Sequence, residues 1–311
     1  ELLVSFADIL GHVRHSMLKQ LIAYVQDPQE KSWARSLAAA DHRAQFKEAV
    51  EESHHSLFTL LTGPLSSARI PLADLLHIVN PIQPRYYTIS SSSSYYPDNV
   101  HITVSVTETK TKAGKTFTGL CSGFLQSLVP GVSTARVFVR ASTFRLPKSL
   151  ASPVLLIGPG TGLAPMRALL QERQFLLENS GEATKPGDCL LFFGCKHEQM
   201  DYIYRDEIER FQENKTLTNL YTAFSRDGPR KVYVQNLMTE DASLGARLVD
   251  LIVQQGGSVF VCGATAMGSD VMAAVVSLLK KHQNLSTEEA TSIVKKLQEK
   301  GRYVQELWTA Q

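Results

Sequence analysis

The sequence has little that points to a membrane, a metal ion or nucleic acid. No apolar run approaches the roughly 20 residues that a membrane-spanning helix needs, and no segment has the form of a signal peptide. The formal net charge over 311 residues is only +2, which gives no electrostatic case for nucleic acid as the main partner. The four cysteines show no C-x-x-C pair and no zinc-like spacing, so we expect reduced thiols in a reducing compartment and no metal site.

Apolar material is abundant, since 43% of the residues are hydrophobic and only 20% are charged. Such a chain can bury a core, and its length predicts two domains or one domain with a large elaboration. It opens with ELLVSFADIL, which lacks an initial Met and has helical spacing from the start. We therefore expect a processed piece or a fragment of a longer protein.

Residues 1–80 have the pattern of a helical region. Apolar side chains recur at helical spacing from Leu2 to Val13, and residues 33–50 are mostly helix formers. Prolines become frequent from Pro64 onward, which predicts a boundary near residue 80.

Residues 81–150 change to a period of two. Residues 100–107 alternate apolar and polar side chains, which predicts a half-buried antiparallel strand. KAGK at 112–115 predicts a turn, and RVFVR at 136–140 predicts another strand. Short strands separated by turns are typical of a small antiparallel barrel.

Residues 151–311 alternate strands with helices. The predicted strands are 154–157, 189–193, 220–224 and 259–262. Helices are predicted between them, for instance at 205–212 and 244–254, and Ser286 with Glu289 forms a capping box before the last helix, which Gly301 ends. This order predicts a doubly wound parallel sheet with helices on both faces.

A glycine turn follows the first of these strands, in VLLIGPGTGLAPMRALLQER at 154–173. Gly158, Gly160 and Gly162 leave almost no side chain between a buried strand and a helix N-terminus, which is how backbone N–H groups cradle a phosphate. The spacing is G-x-G-x-G, which differs from the G-x-G-x-x-G dinucleotide fingerprint.

Two stretches in the barrel region carry groups that suit a second nucleotide. QPRYYTISSSS places Arg85, two tyrosines and Thr88 together, which could pair a guanidinium with phosphate and lay a ring along a heterocycle; the alternative is rim aromatics beside a solvated charge. GLCSGFL places backbone N–H groups from Gly119 to Ser122 before a short helix, where an ordinary Ser N-cap is the alternative.

A basic group follows the predicted strand at 220–224. AFSRDGPRKVYVQ holds Ser225, Arg226, Arg230, Lys231 and Tyr233, and the carboxyl ends of parallel strands are where such sheets bind ligands. Hydroxyls and cations there suit a phosphate dianion, while the alternative is a solvated face. Cys262 and Trp308 have plain structural explanations, as a buried strand-end residue and as the anchor of the C-terminal tail.

Taken in order, these pieces resemble the FAD- and NADPH-binding half of the diflavin reductase family, which is built like ferredoxin–NADP reductase, and most of all its NADPH–cytochrome P-450 reductase group. The segments that carry the resemblance are RYYTISSSS, FVRASTFRLP, GPGTGLAP, FFGC, DYIYRDE, AFSRD, KVYVQ, VFVCG and GRYVQELW.

The resemblance implies an FAD site. Arg85 would hold the pyrophosphate, Tyr87 would stack on the isoalloxazine, the Thr88 hydroxyl would reach N5, and Trp308 would cover the flavin and swing away to admit the nicotinamide. The implied FAD residues are Arg85, Tyr86, Tyr87, Thr88, Ser90, Thr103, Gly119, Leu120, Cys121, Ser122 and Trp308.

The resemblance also implies an NADPH site and explains the shortened glycine pattern. The implied residues are Gly160, Thr161 and Gly162 on the pyrophosphate, Ser225, Arg226, Lys231 and Tyr233 on the 2′-phosphate, and Lys196, Gln235, Met267 and Asp270. Cys262 and Glu306 would lie beside C4 of the nicotinamide, and the implied catalytic set is Thr88, Cys262, Glu306 and Trp308.

The implied activity is hydride transfer from NADPH to FAD, with electrons passing singly to an FMN domain or flavodoxin-like protein and on to a haem protein such as cytochrome P-450. The module would lie on the cytoplasmic face, and the resemblance leaves open an endoplasmic-reticulum anchor in the parent protein. The sequence has no counterpart of the FMN domain or of the first barrel strands, so we expect an incomplete barrel with unpaired edges.

Three positions depart from the family pattern. Thr88 stands where Ser is usual, so its methyl group crowds N5, and Glu306 stands where Asp is usual, which adds one methylene. Ala264 stands where many relatives carry Asp. Two alternatives stay open: a fragment that binds NADP(H) without retaining FAD, and the reductase part of another diflavin enzyme, of the sulfite reductase, nitric-oxide synthase or methionine synthase reductase type.

Overall fold

The computed structural model describes residues 6–110, 114, 116–181 and 185–309, which form two compact units. One unit comprises Glu1–Tyr86 with Ser105–Arg136, and the other comprises Tyr87–Val104 with Val137–Gln311. None of the helices in the described residues is long and apolar enough to cross a membrane.

The first unit is mainly helical. Its helices are α1 (His15–Leu21), α2 (Pro28–Ala38), α3 (Arg43–Phe46), α4 (Leu57–Leu61) and α5 (Leu72–Ile78), with a π-helical turn at Lys47–Glu51 and 3₁₀ turns at Ile22–Tyr24 and Ala40–His42. Asp27 caps α2 by accepting hydrogen bonds from the N–H groups of Gln29 and Glu30. Leu18, Leu21 and Phe46 lie in the buried core that these helices share.

The helix predicted from Leu2 to Val13 is wrong over residues 6–13, and residues 1–5 lie outside the described residues. Ala7 forms an isolated antiparallel bridge with Pro81, and His12 forms another with Ser56. The backbone N–H of Asp8 also donates to Asn80 at 2.9 Å. Because these partners hold the segment extended, the first helix of the described residues begins at His15.

A two-stranded antiparallel sheet completes the first unit. Strands β1 (Glu108–Lys110) and β2 (Thr116–Thr118) pair with Thr109 opposite Phe117, and helix α6 (Leu120–Ser127) follows. The turn predicted at 112–115 lies outside the described residues except for Gly114, whose φ of +79° suits a tight turn.

The strands predicted at 100–107 and 136–140 do not form. Over these residues the structure has a single isolated bridge, between Ile89 and Ile102, and Val137 is 83% exposed. The alternating pattern is present, but a strand also needs a neighbour that is hydrogen-bonded along its length, and beyond the Ile89–Ile102 bridge the described residues form no such pairing here. Of the antiparallel barrel predicted for residues 81–150, the described residues form only the two-stranded β1–β2 sheet.

The second unit contains a five-stranded parallel sheet, with the order β5-β4-β3-β6-β7. Its strands are β3 (Val154–Ile157), β4 (Cys189–Cys195), β5 (Asn219–Phe224), β6 (Ser258–Ala264) and β7 (Tyr303–Trp308). The four strands predicted in this region are confirmed. Strands β3, β4 and β6 read as continuous apolar runs because both of their faces are covered.

Helices cover both faces of this sheet, as predicted. They are α7 (Leu163–Asn179), α8 (Glu198–Asp201), α9 (Arg205–Glu213), α10 (Val234–Glu240), α11 (Ala242–Val253), α12 (Thr265–Gln283) and α13 (Thr287–Glu299). Leu155 and Ile157 of β3 face a core shared with α10–α13, while Val154 and Leu156 face a core shared with α7 and α9. The capping box of Ser286 and Glu289 starts α13 as predicted.

A buried polar network attaches residues 87–104 to helices α7 and α9. The Arg167 guanidinium donates to the Ser90 carbonyl at 2.6 Å and to Glu207 at 2.6 Å. Gln171 accepts a hydrogen bond from the Ser92 N–H at 3.0 Å. Since Thr88 lies two residues before Ser90, this network fixes the position of Thr88 in the second unit.

Candidate functional site

The carboxyl ends of the parallel strands form the candidate site. The strand order reverses between β3 and β6, so the loops that follow these two strands leave the sheet on opposite faces. Ligands of open α/β sheets bind in the crevice at such a switch point. The predicted glycine loop, Cys262 and the C-terminal residues of β7 all lie at this edge.

The glycine loop packs directly against the end of β6. A Cβ atom at Gly162 would lie 2.1 Å from the carbonyl oxygen of Cys262, and one at Gly158 would lie 2.3 Å from the Gly162 oxygen. Gly160 has φ of +56° and faces open space, and the partly exposed Thr161 follows it. No side chain of the described residues caps α7, and its dipole favours an anion at this end, although the Leu163 N–H donates to the Gly160 and Thr161 carbonyls and Pro165 has no N–H.

Thr88, Cys262 and Glu306 come together beside this loop. Cys262 and Glu306 are register partners on β6 and β7, and the Thr88 hydroxyl donates to Glu306 Oε2 at 3.1 Å. Burial, together with the negative charge of Glu306, raises the pKa of the Cys262 thiol to about 12 although a hydrogen bond with Thr88 opposes the shift. The thiol is therefore protonated at physiological pH.

Ser142 is a fourth member of this cluster that sequence reasoning missed. Its hydroxyl donates to Glu306 Oε1 at 2.5 Å and accepts a hydrogen bond from the Phe144 N–H at 3.0 Å. The centres of the Phe144 and Phe260 rings lie 5.5 Å apart, and this packing anchors the segment that carries Ser142 to the sheet. The only signal in the sequence is a serine in FVRASTFRLP, which has no periodicity to mark it.

Trp308 ends β7 opposite Ala264 and is 40% exposed. Its backbone carbonyl accepts a hydrogen bond from the Thr265 hydroxyl at 3.1 Å, at the start of α12. The backbone is therefore fixed at the strand end while the indole remains partly exposed.

The predicted phosphate-binding cations are grouped where β4 and β5 end. The hydrogen bonds of these strands continue past their ends, because the Ser225 N–H donates to Cys195 and the Arg226 N–H donates to Lys196, both at 2.9 Å. This pairing places Lys196 beside Arg226, and both side chains are exposed. Arg230 does not join them, since it forms an ion pair with Glu240 at 2.8 Å.

Helix α10 and the start of α12 carry further predicted NADPH residues. Lys231 is exposed, and Tyr233 is the N-cap of α10 with its side chain 45% exposed. Gln235 donates to Asp270 at 3.2 Å, whereas its own Oε1 is buried without a partner in the described residues. Met267 lies against Gly263, where a Cβ atom would come within 2.2 Å of its terminal methyl.

Several predicted FAD residues lie in the first unit. Arg85 and Tyr86 are exposed, and the Arg85 guanidinium donates to the Gln83 carbonyl at 2.6 Å. Gly119 is the N-cap of α6, and the partly exposed Leu120 and Cys121 follow it. Ser122 is not an N-cap, because its hydroxyl accepts from the Thr107 N–H at 3.1 Å instead.

The other predicted FAD residues lie in the second unit. Tyr87 is half-buried. Ser90 is fully buried, and its hydroxyl has no partner in the described residues. Thr103 shares a hydrogen bond with the Tyr204 hydroxyl at 2.9 Å.

These residues are chemically compatible with the two cofactors. The space in front of Gly160 and the cations Lys196, Arg226 and Lys231 suit a dinucleotide phosphate. For a flavin, the Thr88 hydroxyl offers a hydrogen-bonding group. Within the described residues, no group of three or more His, Cys, Asp or Glu side chains could hold a metal ion.

Comparison with known proteins gives matches over nearly the whole chain. Residues 1–124 match the family model of an FAD binding domain, and residues 156–273 match that of an oxidoreductase NAD-binding domain. The chain is 36% identical over 99% of its length to NADPH–cytochrome P450 reductase of Musca domestica, and 35% identical to those of Drosophila melanogaster and Sus scrofa. It spans 45% of the length of these relatives. The chain therefore carries an FAD-binding domain followed by an oxidoreductase NAD-binding domain, and it is related to the corresponding part of NADPH–cytochrome P450 reductases.

Proposed function

We propose that this chain is a reductase module that transfers hydride from NADPH to FAD and passes electrons onward. The observation that carries the proposal is the cluster of Thr88, Ser142, Cys262 and Glu306 beside the glycine loop. It places a carboxylate, two hydroxyls and a protonated thiol at the switch point of a nucleotide-binding sheet.

The nucleotide in this proposal is NADPH and not NADH. The loop of Gly160, Thr161 and Gly162 would hold its pyrophosphate. Lys196, Ser225, Arg226, Lys231 and Tyr233 would hold the 2′-phosphate and the adenosine, and Gln235, Met267 and Asp270 would complete the NADPH site. A dianionic phosphate gains charge-assisted hydrogen bonds from such cations, and NADH has no group there to use them.

FAD, when bound, would supply the redox chemistry by accepting hydride at N5 and releasing electrons singly. The chain's own residues would position the two cofactors and stabilise the charge that develops during hydride transfer. The Thr88 hydroxyl would turn from Glu306 toward N5, and the Glu306 carboxylate would favour the positive charge of the oxidised nicotinamide. Trp308 would cover the flavin until the nicotinamide displaces it.

The rest of the FAD site would come from the barrel region. Arg85, Tyr86 and Tyr87 would hold the pyrophosphate and the isoalloxazine, and Gly119, Leu120, Cys121 and Ser122 would form a second pyrophosphate loop. In this scheme residues 1–80 are a helical connecting region, 81–150 part of an FAD barrel, and 151–311 the NADPH domain.

The onward acceptor would be an FMN domain or a flavodoxin-like protein, and then a haem protein such as cytochrome P-450. This step is supported by the relatives, which are named NADPH–cytochrome P450 reductases. The module would work on the cytoplasmic face, and any endoplasmic-reticulum anchor would belong to the parent protein.

The proposal is tested by incubating the purified chain with FAD, desalting it and titrating it with NADPH in the absence of oxygen. We expect a retained flavin absorption band that NADPH bleaches. A flavin that is retained but never bleached by NADPH would refute the proposed activity.

A second function is favoured by one observation, the lack of strands at 100–107 and 136–140 in the structure. If these residues cannot complete an FAD site, the chain binds NADP(H) without retaining FAD. The same experiment separates the two functions, because that chain would emerge colourless from desalting while still binding NADP⁺.

A further inference from the structure

A histidine–aspartate pair lies directly beside the two cations at the ends of β4 and β5. The ring Nδ1 of His197 lies 2.7 Å from Asp227 Oδ1. His197 follows Lys196 in the chain, and Asp227 follows Arg226. The pair therefore joins the two loops that carry the proposed 2′-phosphate ligands.

Both oxygens of the Asp227 carboxylate are engaged. Oδ1 accepts from the His197 ring, and Oδ2 accepts from the backbone N–H of Glu198 at 2.8 Å. These bonds, that of Glu198 first and that of His197 second, hold the pKa of Asp227 below its ordinary value. The His197 N–H in turn donates to Asp201 at 3.0 Å, which fixes the loop from its other side.

This arrangement keeps a carboxylate from neutralising its neighbouring cations. Within the described residues, Lys196, Arg226 and Lys231 make no ion pair, although Asp227 adjoins Arg226 in sequence. If His197 were absent, the Glu198 N–H alone would hold Asp227, and its Oδ1 would be available to compete with a bound phosphate for Arg226.

We propose that His197 and Asp227 are positioning residues that hold the Lys196 and Arg226 loops together and set the preference for a 2′-phosphorylated nucleotide. This inference rests on the proposed NADPH function. It makes a counterintuitive prediction, because removing the negative charge of Asp227 should weaken phosphate binding. A simple charge argument without positioning predicts tighter binding for the same change.

The test is calorimetric titration of the full chain with NADP⁺ and, separately, with NAD⁺. The variants are His197→Ala, Asp227→Ala and the double variant. We expect each single change to weaken NADP⁺ binding about fivefold while NAD⁺ binding stays within about twofold, as suits a half-exposed pair that acts on one group of the ligand. The double variant should bind NADP⁺ no more than about twofold more weakly than either single one, because the two residues act as a unit.

Asp188→Ala is the matched control. Asp188 pairs with Arg247 at the same 2.7 Å and with similar exposure, but it precedes β4 and so lies at the opposite edge of the sheet. It should leave both affinities unchanged.

Tighter NADP⁺ binding by Asp227→Ala, unchanged NADP⁺ binding by either single variant, or equal losses for NADP⁺ and NAD⁺ would overturn the inference. Failure of the proposed function looks different, since wild-type protein would then bind NADP⁺ no more tightly than NAD⁺.

Discussion

The Ser142 hydroxyl donates to Glu306 Oε1 at 2.5 Å, which joins residues 164 positions apart in the sequence. Because the Phe144 N–H occupies an acceptor site of the same hydroxyl, the hydroxyl proton is directed at the carboxylate. The Thr88 hydroxyl donates a hydrogen bond to the other carboxylate oxygen, Oε2. Glu306 thus receives one hydroxyl hydrogen bond on each oxygen, which fixes the orientation of a side chain one methylene longer than the Asp expected here.

Ser142→Ala should slow flavin reduction by NADPH about fivefold, because loss of one charge-assisted hydrogen bond at a partly exposed site costs about 1 kcal/mol. Because the change costs only about 1 kcal/mol, the melting temperature should fall by no more than about 2–4 °C. Stopped-flow bleaching of FAD-loaded protein measures the rate. Ser142→Thr is the control that keeps the hydroxyl, and equal rates for the Ala, Thr and wild-type proteins would show that Ser142 does not position Glu306.

Arg226→Ala should weaken NADPH binding at least about tenfold and leave NADH binding nearly unchanged, because only NADPH carries the phosphate that this cation would pair with. Binding titrations with both nucleotides measure the difference. Arg210→Ala serves as the control, since Arg210 is an exposed arginine of the same unit whose guanidinium bonds within its own helix. Equal losses for the two nucleotides would refute the assignment of Arg226.

Gly162→Ala should destabilise the second unit by about 2–3 kcal/mol and abolish nucleotide binding, because its Cβ would meet the Cys262 carbonyl at 2.1 Å and backbone atoms must move. Gly160→Ala is the matched comparison within the loop. Its Cβ would meet nothing within 4 Å, so only the cost of φ at +56° applies, about 1 kcal/mol. Denaturant unfolding measures both, and a larger loss at residue 160 than at residue 162 would contradict the packing of the loop on β6.

The buried thiols should resist alkylation in the native chain. Burial raises the pKa of Cys189 and of Cys262 to about 12. At pH 8 the fraction of either thiol that is deprotonated is therefore only ~10⁻⁴, and the deprotonated thiolate is the form that reacts. Cys121 is partly exposed and is the internal control. Mass spectrometry after iodoacetamide treatment should find Cys121 modified first, and Glu306→Gln should speed modification of Cys262 by removing the nearby charge. Rapid alkylation of Cys262 in the wild-type protein would contradict its buried, protonated state.

The parallel sheet could be predicted from sequence because strands covered on both faces are continuous apolar runs followed by glycine or by the start of a helix. Local sequence patterns gave wrong predictions where hydrogen bonds to residues distant in the sequence decide the structure. Residues 6–13 have helical spacing but are held extended by Pro81, Asn80 and Ser56. Residues 100–107 have strand spacing, but in the described residues their pairing stops at the single Ile89–Ile102 bridge.

The candidate site divides in the same way. Glycine spacing and strand ends indicated Gly162 and Arg226, since these features are local in sequence, whereas a role for Cys262 was implied only by the family resemblance. Ser142 and the His197–Asp227 pair could not be found in this way, because their importance comes from hydrogen bonds across 164 and 30 positions. A single serine or histidine carries no signal of such a partner.

The most direct test of the account compares wild-type protein with Glu306→Gln in a single turnover. Both proteins are loaded with FAD and mixed with NADPH without oxygen, and the affinity of each for NADP⁺ is measured separately. We expect NADPH to bleach the wild-type flavin, and the flavin of Glu306→Gln to bleach at least about tenfold more slowly with unchanged NADP⁺ affinity, because the carboxylate acts as charge develops on the nicotinamide. Equal bleaching rates for the two proteins, or no bleaching of the wild type, would contradict hydride transfer at the Thr88–Ser142–Cys262–Glu306 cluster.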